Sequence, residues 1–186
     1  VNLMTDEMVE IFSPILNALS VIALRSGTLL ATARSTVEIP NFQHLLKCSE
    51  SLSNVQLFPI HFLTPTTFKQ DKRYVIFPQE SLILQSLISR WNVSFPEAAM
   101  DDEDAFQALL RSIHIVDYNL HTTRYPMKQV RLPAFQGRIS IETRLPAPMM
   151  ALWTTLYSFA PYAGIGVKTT LGMGGVSMMK ASNLPV

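Results

Sequence analysis

Gly137-Arg-Ile-Ser-Ile-Glu-Thr-Arg-Leu145, followed by Pro146-Ala-Pro148 and the apolar run from Met149 to Ala160, decides how this 186-residue chain folds. Ile139, Ile141 and Thr143 alternate with Arg138, Ser140, Glu142 and Arg144. That two-residue period marks a strand with one face buried and the other wet. Pro148 stands where proline suits a helix start, because the first turn leaves its N–H groups unpaired anyway. Met149, Leu152, Trp153, Leu156 and Phe159 then recur at helical spacing, so the predicted helix buries one broad face. Met173 to Met179 reads as a further strand.

The same kinds of element run upstream. Val116, Tyr118, Leu120 and Thr122 predict a strand, and Asp101–Arg111 a helix whose leading acids suit the dipole. Ser81–Asn92 predicts a helix with Leu84, Leu87, Ile88 and Trp91 on one face, and Tyr74–Phe77 a short extended run. Val55–Phe62 reads as a strand whose alternation slips at Pro59. Proline cannot donate to a ladder, so an edge position or a bulge is expected there. With the extra segments set aside, residues 51–186 run β-α-β-β-α-β, the order of a ferredoxin-like α+β domain. Many unrelated activities share that fold, so order alone does not give function.

Ahead of this domain, residues 6–24 predict a helix through Met8, Ile11, Phe12, Ile15, Leu16 and Leu19. Pro14 either kinks it or opens a second helix capped by Ser13. Thr28–Ile39 is β-rich, Phe42–Cys48 a short helix, and Ser49–Asn54 a polar connector. The expected division therefore falls at residue 50, with residues 1–50 forming a helix-and-strand unit of their own. The first residue is Val1, and the chain is expected to be a piece of a longer polypeptide.

With 48% hydrophobic residues the chain can bury a core, which sets it apart from disordered sequences. A lone Cys48 can form neither an internal disulfide nor a zinc cluster, which fits a reducing, cytoplasmic setting. No cofactor is expected. No apolar run reaches the roughly 18–20 residues of a membrane helix. Asp6, Glu7 and Glu10 stand where a secretory signal would carry bases. The net charge of +1 hides an asymmetry. Residues 105–186 hold Arg111, Arg124, Lys128, Arg131, Arg138, Arg144, Lys168 and Lys180 against Asp117 and Glu142, a balance of +6. A basic C-terminal half is the electrostatic footprint of a partner for phosphates.

Five of the seven glycines fall within Gly164–Gly175. Glycine allows positive φ and removes side chains that keep a ligand from the backbone, and a loop of this kind offers N–H donors to phosphate oxygens. Lys168, Thr169 and Thr170 add a cation and two hydroxyls. The spacing fits neither a P-loop nor a dinucleotide fingerprint, since Lys168 follows Val167 and the segment follows a helix. A bulged glycine-rich hairpin that seats a helix on a sheet explains the composition equally well.

Three blocks then carry a resemblance. Tyr162-Ala-Gly-Ile-Gly-Val-Lys-Thr-Thr-Leu-Gly-Met-Gly174 resembles the C-terminal signature of the CRISPR-associated repeat endoribonucleases, RAMP proteins that cut precursor CRISPR RNA. Phe62-Leu-Thr-Pro-Thr-Thr-Phe68, with Phe77-Pro78 and a helix ending in Arg90-Trp91, agrees with it, as does Phe135-Gln-Gly-Arg138 opening a strand. The blocks keep the family's order over roughly residues 55–180. The resemblance implies two ferredoxin-like halves, of which residues 51–186 match the second and residues 1–50 only the end of the first. It also implies metal-independent cleavage in which the ribose 2′-hydroxyl attacks the neighbouring phosphate.

The family's catalytic histidine lies on an opening helix with no counterpart here, so the catalytic group is expected outside this chain. For His44, His61, His114 and His121 a surface or structural role is favoured over catalysis. The acids at 101–104 read as a solvated helix start, and no His or Cys cluster has zinc spacing. The predicted RNA contacts are Gly164, Gly166, Lys168, Thr169, Thr170, Gly172 and Gly174. Arg138 and Arg144 on one strand face and Lys69 and Arg73 in a basic turn complete the set. Tyr125, Phe135 and Tyr162 are stacking candidates, although core packing is the commoner fate of such aromatics. The expected partners are CRISPR repeat RNA and other CRISPR-associated proteins or domains of the same polypeptide. A non-catalytic RNA-binding or assembly module is the alternative, and a small-anion-binding metabolic domain is a third reading.

Overall fold

The computed structural model describes residues 6–24, 27–33, 36–37, 41–127 and 130–178. Lys128, Lys180 and Met179, all used in the sequence reading, lie outside them. The chain divides into two compact units after Pro40. The first holds helix α1 (Asp6–Ala18) and an antiparallel pair, β1 (Val21–Leu24) with β2 (Gly27–Leu30). The expected 6–24 helix thus stops at Ala18, and its β-branched tail joins a ladder instead. Pro14 lies inside α1.

The second unit begins with α2 (Phe42–Glu50). Its N-cap Asn41 accepts the His44 N–H at 3.1 Å, the usual relief for an unpaired first-turn donor. There follow β3 (Leu57–Thr66), a small hairpin of β4 (Phe68–Gln70) and β5 (Arg73–Val75), and α3 (Glu80–Ser94). Next come α4 (Glu103–Ser112), β6 (Ile113–Pro126), β7 (Arg131–Thr143), α5 (Ala147–Ala163) and β8 (Val176–Met178). Asp102 caps α4 by accepting the Ala105 N–H at 3.0 Å, so that acid does structural work at the helix start. The sheet order is β6-β7-β3-β8 and every pairing is antiparallel. With α3 and α5 as the crossovers this is a ferredoxin-like α+β domain. α2 belongs to the same unit, and the Ser49 and Thr155 hydroxyls share a hydrogen bond of 3.3 Å between α2 and α5.

β3 is central, between β7 and β8, where the sequence suggested an edge or a bulge at Pro59. The ladder explains how a proline fits. The Thr143 N–H donates to Gln56 O at 2.9 Å, and antiparallel pairing alternates from there. Pro59 therefore meets Ser140 at a position where β7 asks for no donor. Its carbonyl instead accepts the Tyr157 hydroxyl at 2.7 Å. A real irregularity lies further on, where the β3–β7 register jumps between Phe62 and Thr66. β6 and β7 are also much longer than their alternation predicts. Their pairing runs from Ile113 with Thr143 to Pro126 with Arg131, across prolines that end a sequence-based strand.

The core fills the space between the sheet and its helices. Phe58, Ile60, Phe62, Ile139 and Ile141 are buried on the sheet, and Leu84, Leu87, Trp91, Trp153, Leu156 and Phe159 on the helices. Phe58 meets Trp153 edge-on at 5.6 Å, and Trp91 meets Phe159 at 5.4 Å. Such contacts add about 0.5–1.5 kcal/mol beyond area burial. Burial pushes the Tyr157 phenol well above its ordinary pKa. Tyr157→Phe keeps the ring packing but leaves the Pro59 carbonyl without its donor. It is expected to lower unfolding stability by about 1–2 kcal/mol, read as a shift of the urea midpoint at constant m-value.

Candidate nucleic-acid interface

The jump in β3 is where the glycine segment docks. Leu63-Thr-Pro65 leave β7, and their polar groups turn to the glycine segment. The Leu63 N–H donates to Gly175 O at 2.8 Å, and the Gly175 N–H to Thr64 Oγ1 at 2.8 Å. The Gly174 N–H donates to Pro65 O at 3.1 Å, and the Val167 N–H to Thr67 O at 3.0 Å. Gln136 closes the gap on the β7 side by donating to Leu63 O at 2.9 Å.

Two glycines make this approach possible. Gly166 sits at φ 93°, and a Cβ there would lie 2.6 Å from Thr67 O. Gly174 sits at φ 69°, and its Cβ would lie 2.1 Å from Ile165 O. Neither separation is physically available to a side chain. The glycines therefore serve a close fit of backbone on backbone, as the hairpin reading has it. Most of the segment's donors point inward, the Gly164 N–H to Ala160 O and the Ile165 N–H to Gly174 O, both at 2.8 Å.

The exception is the turn Thr169–Leu171 and the Lys168 before it. Among the described residues, the N–H groups of Lys168, Thr169 and Thr170 donate to nothing, and Thr170 is exposed. Lys168 is held in the left-handed region, φ 60° and ψ 34°, at a cost of roughly 1–2 kcal/mol for a residue with a Cβ. The Leu171 N–H closes onto Lys168 O at 2.9 Å. No carboxylate among the described residues pairs with Lys168. The turn thus gathers one cation, unspent N–H donors and two threonine hydroxyls.

α3 supports the turn from behind. Ser86 Oγ accepts the Gly166 N–H at 2.8 Å. Arg90 donates through Nη1 to Thr169 Oγ1 at 2.8 Å and through Nη2 to Gly166 O. Burial pulls the Arg90 guanidinium below its ordinary pKa, a sign of lost solvation that leaves the charge in place. On the other flank the Tyr125 hydroxyl, near the end of β6, donates to Leu171 O. Tyr125 and Met127 pack there against Leu132, Ala134 and Met173.

The remaining predicted residues are placed unevenly. Lys69 and Arg73 are exposed on the β4–β5 hairpin, which is tied to the glycine segment through Thr67. Arg138 is half-buried on β7, opposite both His61 of β3 and Asn119 of β6, on the sheet face away from the helices. Arg144 lies beyond β7, about 20 Å along the strand from Arg138, and is paired with Glu142 at 3.4 Å. Gly172 is exposed at φ 86°, and Gly164 is buried at φ 73°.

Phe135 is core, 4.9 Å from Phe62. His44, His114 and His121 are exposed, and only His61 is half-buried. No cluster of three or more potential metal ligands occurs among the described residues. No helix of the described residues is long and apolar enough to cross a membrane. Sequence reading omitted Ser86, Arg90, Thr64 and Thr67 from the site. Their signal was present, because Thr64, Thr67 and Arg90 lie in the blocks that resemble the family.

Gly174→Ala is expected to collide with Ile165 O and to lower stability by roughly 3 kcal/mol or more. Gly172→Ala meets no atom within 4 Å and carries only the backbone strain. Thermal unfolding of the two variants separates the clash from the strain.

Known proteins resemble this chain in sequence and in fold. The family described as CRISPR-associated endoribonuclease Cas6 matches residues 60–176, from the middle of β3 through the glycine segment to β8. A Cas6 endoribonuclease of Streptococcus thermophilus is 30% identical over 178 residues, 96% of this chain and 73% of its own length. Among solved structures, a Cas6 product complex superposes with a TM-score of 0.77 at 22% identity, covering 96% of this chain and 75% of that one. A chain of a Cas6-RT-Cas1–Cas2 complex superposes at 0.65 and 11% identity, covering 98% of this chain and 35% of that one. At those identities the structures speak for the fold, and the sequence match speaks for the kinship. The chain belongs to the CRISPR-associated endoribonuclease Cas6 family.

Proposed function

We propose that this chain grips the backbone of precursor CRISPR RNA repeats and forms the RNA-recognition part of a metal-independent endoribonuclease acting through the ribose 2′-hydroxyl. The observation that carries the proposal is the turn at Lys168–Thr170. There a cation and three unspent N–H groups share one tight turn, in a segment whose other N–H groups from Gly164 to Gly175 bond within the fold. Phosphate oxygens are the natural complement of such a set. Lys69 and Arg73 on the adjoining hairpin and Arg138 on the open face of the sheet extend the basic surface. Arg144 sits apart and has a partner, so it adds long-range charge more than a contact.

Proton transfer during cleavage is assigned to none of the four histidines. Of residues 1–50, expected to end a first ferredoxin-like half, those up to Pro40 are read that way, and α2 goes with the second unit. A second reading is a non-catalytic RNA-binding or assembly module within a larger polypeptide; the same fold recurs in a longer chain of a Cas6-RT-Cas1–Cas2 complex, 35% of which this chain covers. On either reading the partners are repeat RNA and other CRISPR-associated proteins.

The test is a gel assay with labelled repeat RNA in EDTA across a salt series. Wild-type binding is expected to fall steeply with salt, and Lys168→Ala to weaken it while reducing the log–log slope by about 1. Cleavage in EDTA supports the nuclease reading, and binding without cleavage supports the module. No affinity at low salt refutes both.

A further inference from the structure

Ser86 and Arg90 stand one helical turn apart on α3, and both are committed to the glycine segment. Gly166 is held at both ends, its N–H by Ser86 and its carbonyl by Arg90. The second arm of the guanidinium reaches Thr169 Oγ1 at 2.8 Å. Arg90 therefore brackets Val167 and Lys168 from behind, with one bond on each side of them. A guanidinium suits this task because its planar fork holds two acceptors at fixed spacing, whereas an ammonium is a single pivoting point. Among the described residues no carboxylate pairs with Arg90, and its Nε is buried without a partner. The group is spent on shaping the turn, not on an ion pair of its own.

Lys168 needs such support. Its left-handed backbone is disfavoured for any residue with a Cβ and persists only where the surroundings impose it. The surroundings here are the two Arg90 bonds and the closure of Leu171 and Met173 onto Lys168 O. We propose that Arg90 is a positioning residue for RNA binding: through Gly166 and Thr169 it sets the Lys168–Thr170 turn in the form that meets a backbone phosphate. This inference rests on the reading of that turn as the RNA contact, and the experiment has one arm that does not need RNA.

In the full chain, Arg90→Gln, Arg90→Lys, Lys168→Ala and the Arg90→Gln/Lys168→Ala double variant are compared. Thr169→Val is added as a milder cut that leaves Arg90 in place. Without RNA, amide hydrogen exchange at Leu171, Gly172 and Met173 is expected to rise about tenfold in Arg90→Gln, with α5 amides unchanged. Arg90→Lys and Thr169→Val should fall between it and wild type. Unchanged exchange in the segment overturns the proposal.

With repeat RNA, Arg90→Gln is expected to weaken binding about tenfold in the wild-type background and less than about twofold beside Lys168→Ala, the non-additivity of groups acting through one another. An equal loss in both backgrounds overturns positioning and makes Arg90 an RNA contact itself. Faster exchange together with a Lys168→Ala variant that binds RNA as wild type does refutes the RNA reading of the turn. Arg90 would then hold the turn for another purpose, and its role in RNA binding would be overturned.

Discussion

The structure depends on one close approach, that of the Gly164–Gly175 backbone to the end of β3. Five main-chain and side-chain bonds join Leu63, Thr64, Pro65 and Thr67 to the segment, and each requires that no side chain intervene. Hydrogen bonds of this kind are worth about 1 kcal/mol each, but burying their donors unpaired would cost more than that. The glycines are therefore a condition of the fold before they are a condition of binding. Because the backbone is pinned on the inside, its outward turn at Lys168 is braced by bonds from within the fold.

These bonds bear on a choice that composition left open. A glycine-rich hairpin seating a helix on a sheet and a loop that offers donors to phosphate were equally good accounts of the same residues. The bonds show that Gly164, Ile165, Gly166, Val167, Gly174 and Gly175 serve the first purpose. The donors left for the second are confined to three residues. The bonded stretches and the unspent donors proposed for binding thus lie side by side in one segment, and Arg90 reaches from the helix layer into both.

The order of elements was legible because each buried face has a period, and the periods of Ile139–Thr143 and Met149–Phe159 are clean. What failed were features set by pairing partners. Pro59 looked like an edge signal because proline lacks a donor, yet alternation in the ladder puts that lack where β7 needs none. β6 and β7 were read short, since Pro126 and Pro133 interrupt a local pattern that thirteen paired positions override. The site was half legible. Glycine density located the segment, but that Thr64, Thr67, Ser86 and Arg90 would hold it is a matter of tertiary distance, which no spacing along the chain encodes. Residue-type resemblance came nearer, because the blocks around Phe62–Phe68, Arg90 and Tyr162–Gly174 prove to be neighbours in space.

The bonds that seat the glycine segment also set when the grip can exist. Gly175 is bound to Thr64 across 111 residues, and Gly166 to Ser86 across 80. Contacts so remote in sequence carry a loop-closure cost that local helices and the β6–β7 hairpin do not, so they form late in folding. During synthesis, β3, α3 and the long hairpin emerge well before the segment that completes them. Until Gly175 has been made and threaded onto β3, that strand keeps an open side and the polar groups of Leu63–Pro65 wait in water. On the proposed reading of the Lys168–Thr170 turn, a growing chain gains its hold on RNA only once this segment has docked, and a half-made protein has little means of engaging the transcript.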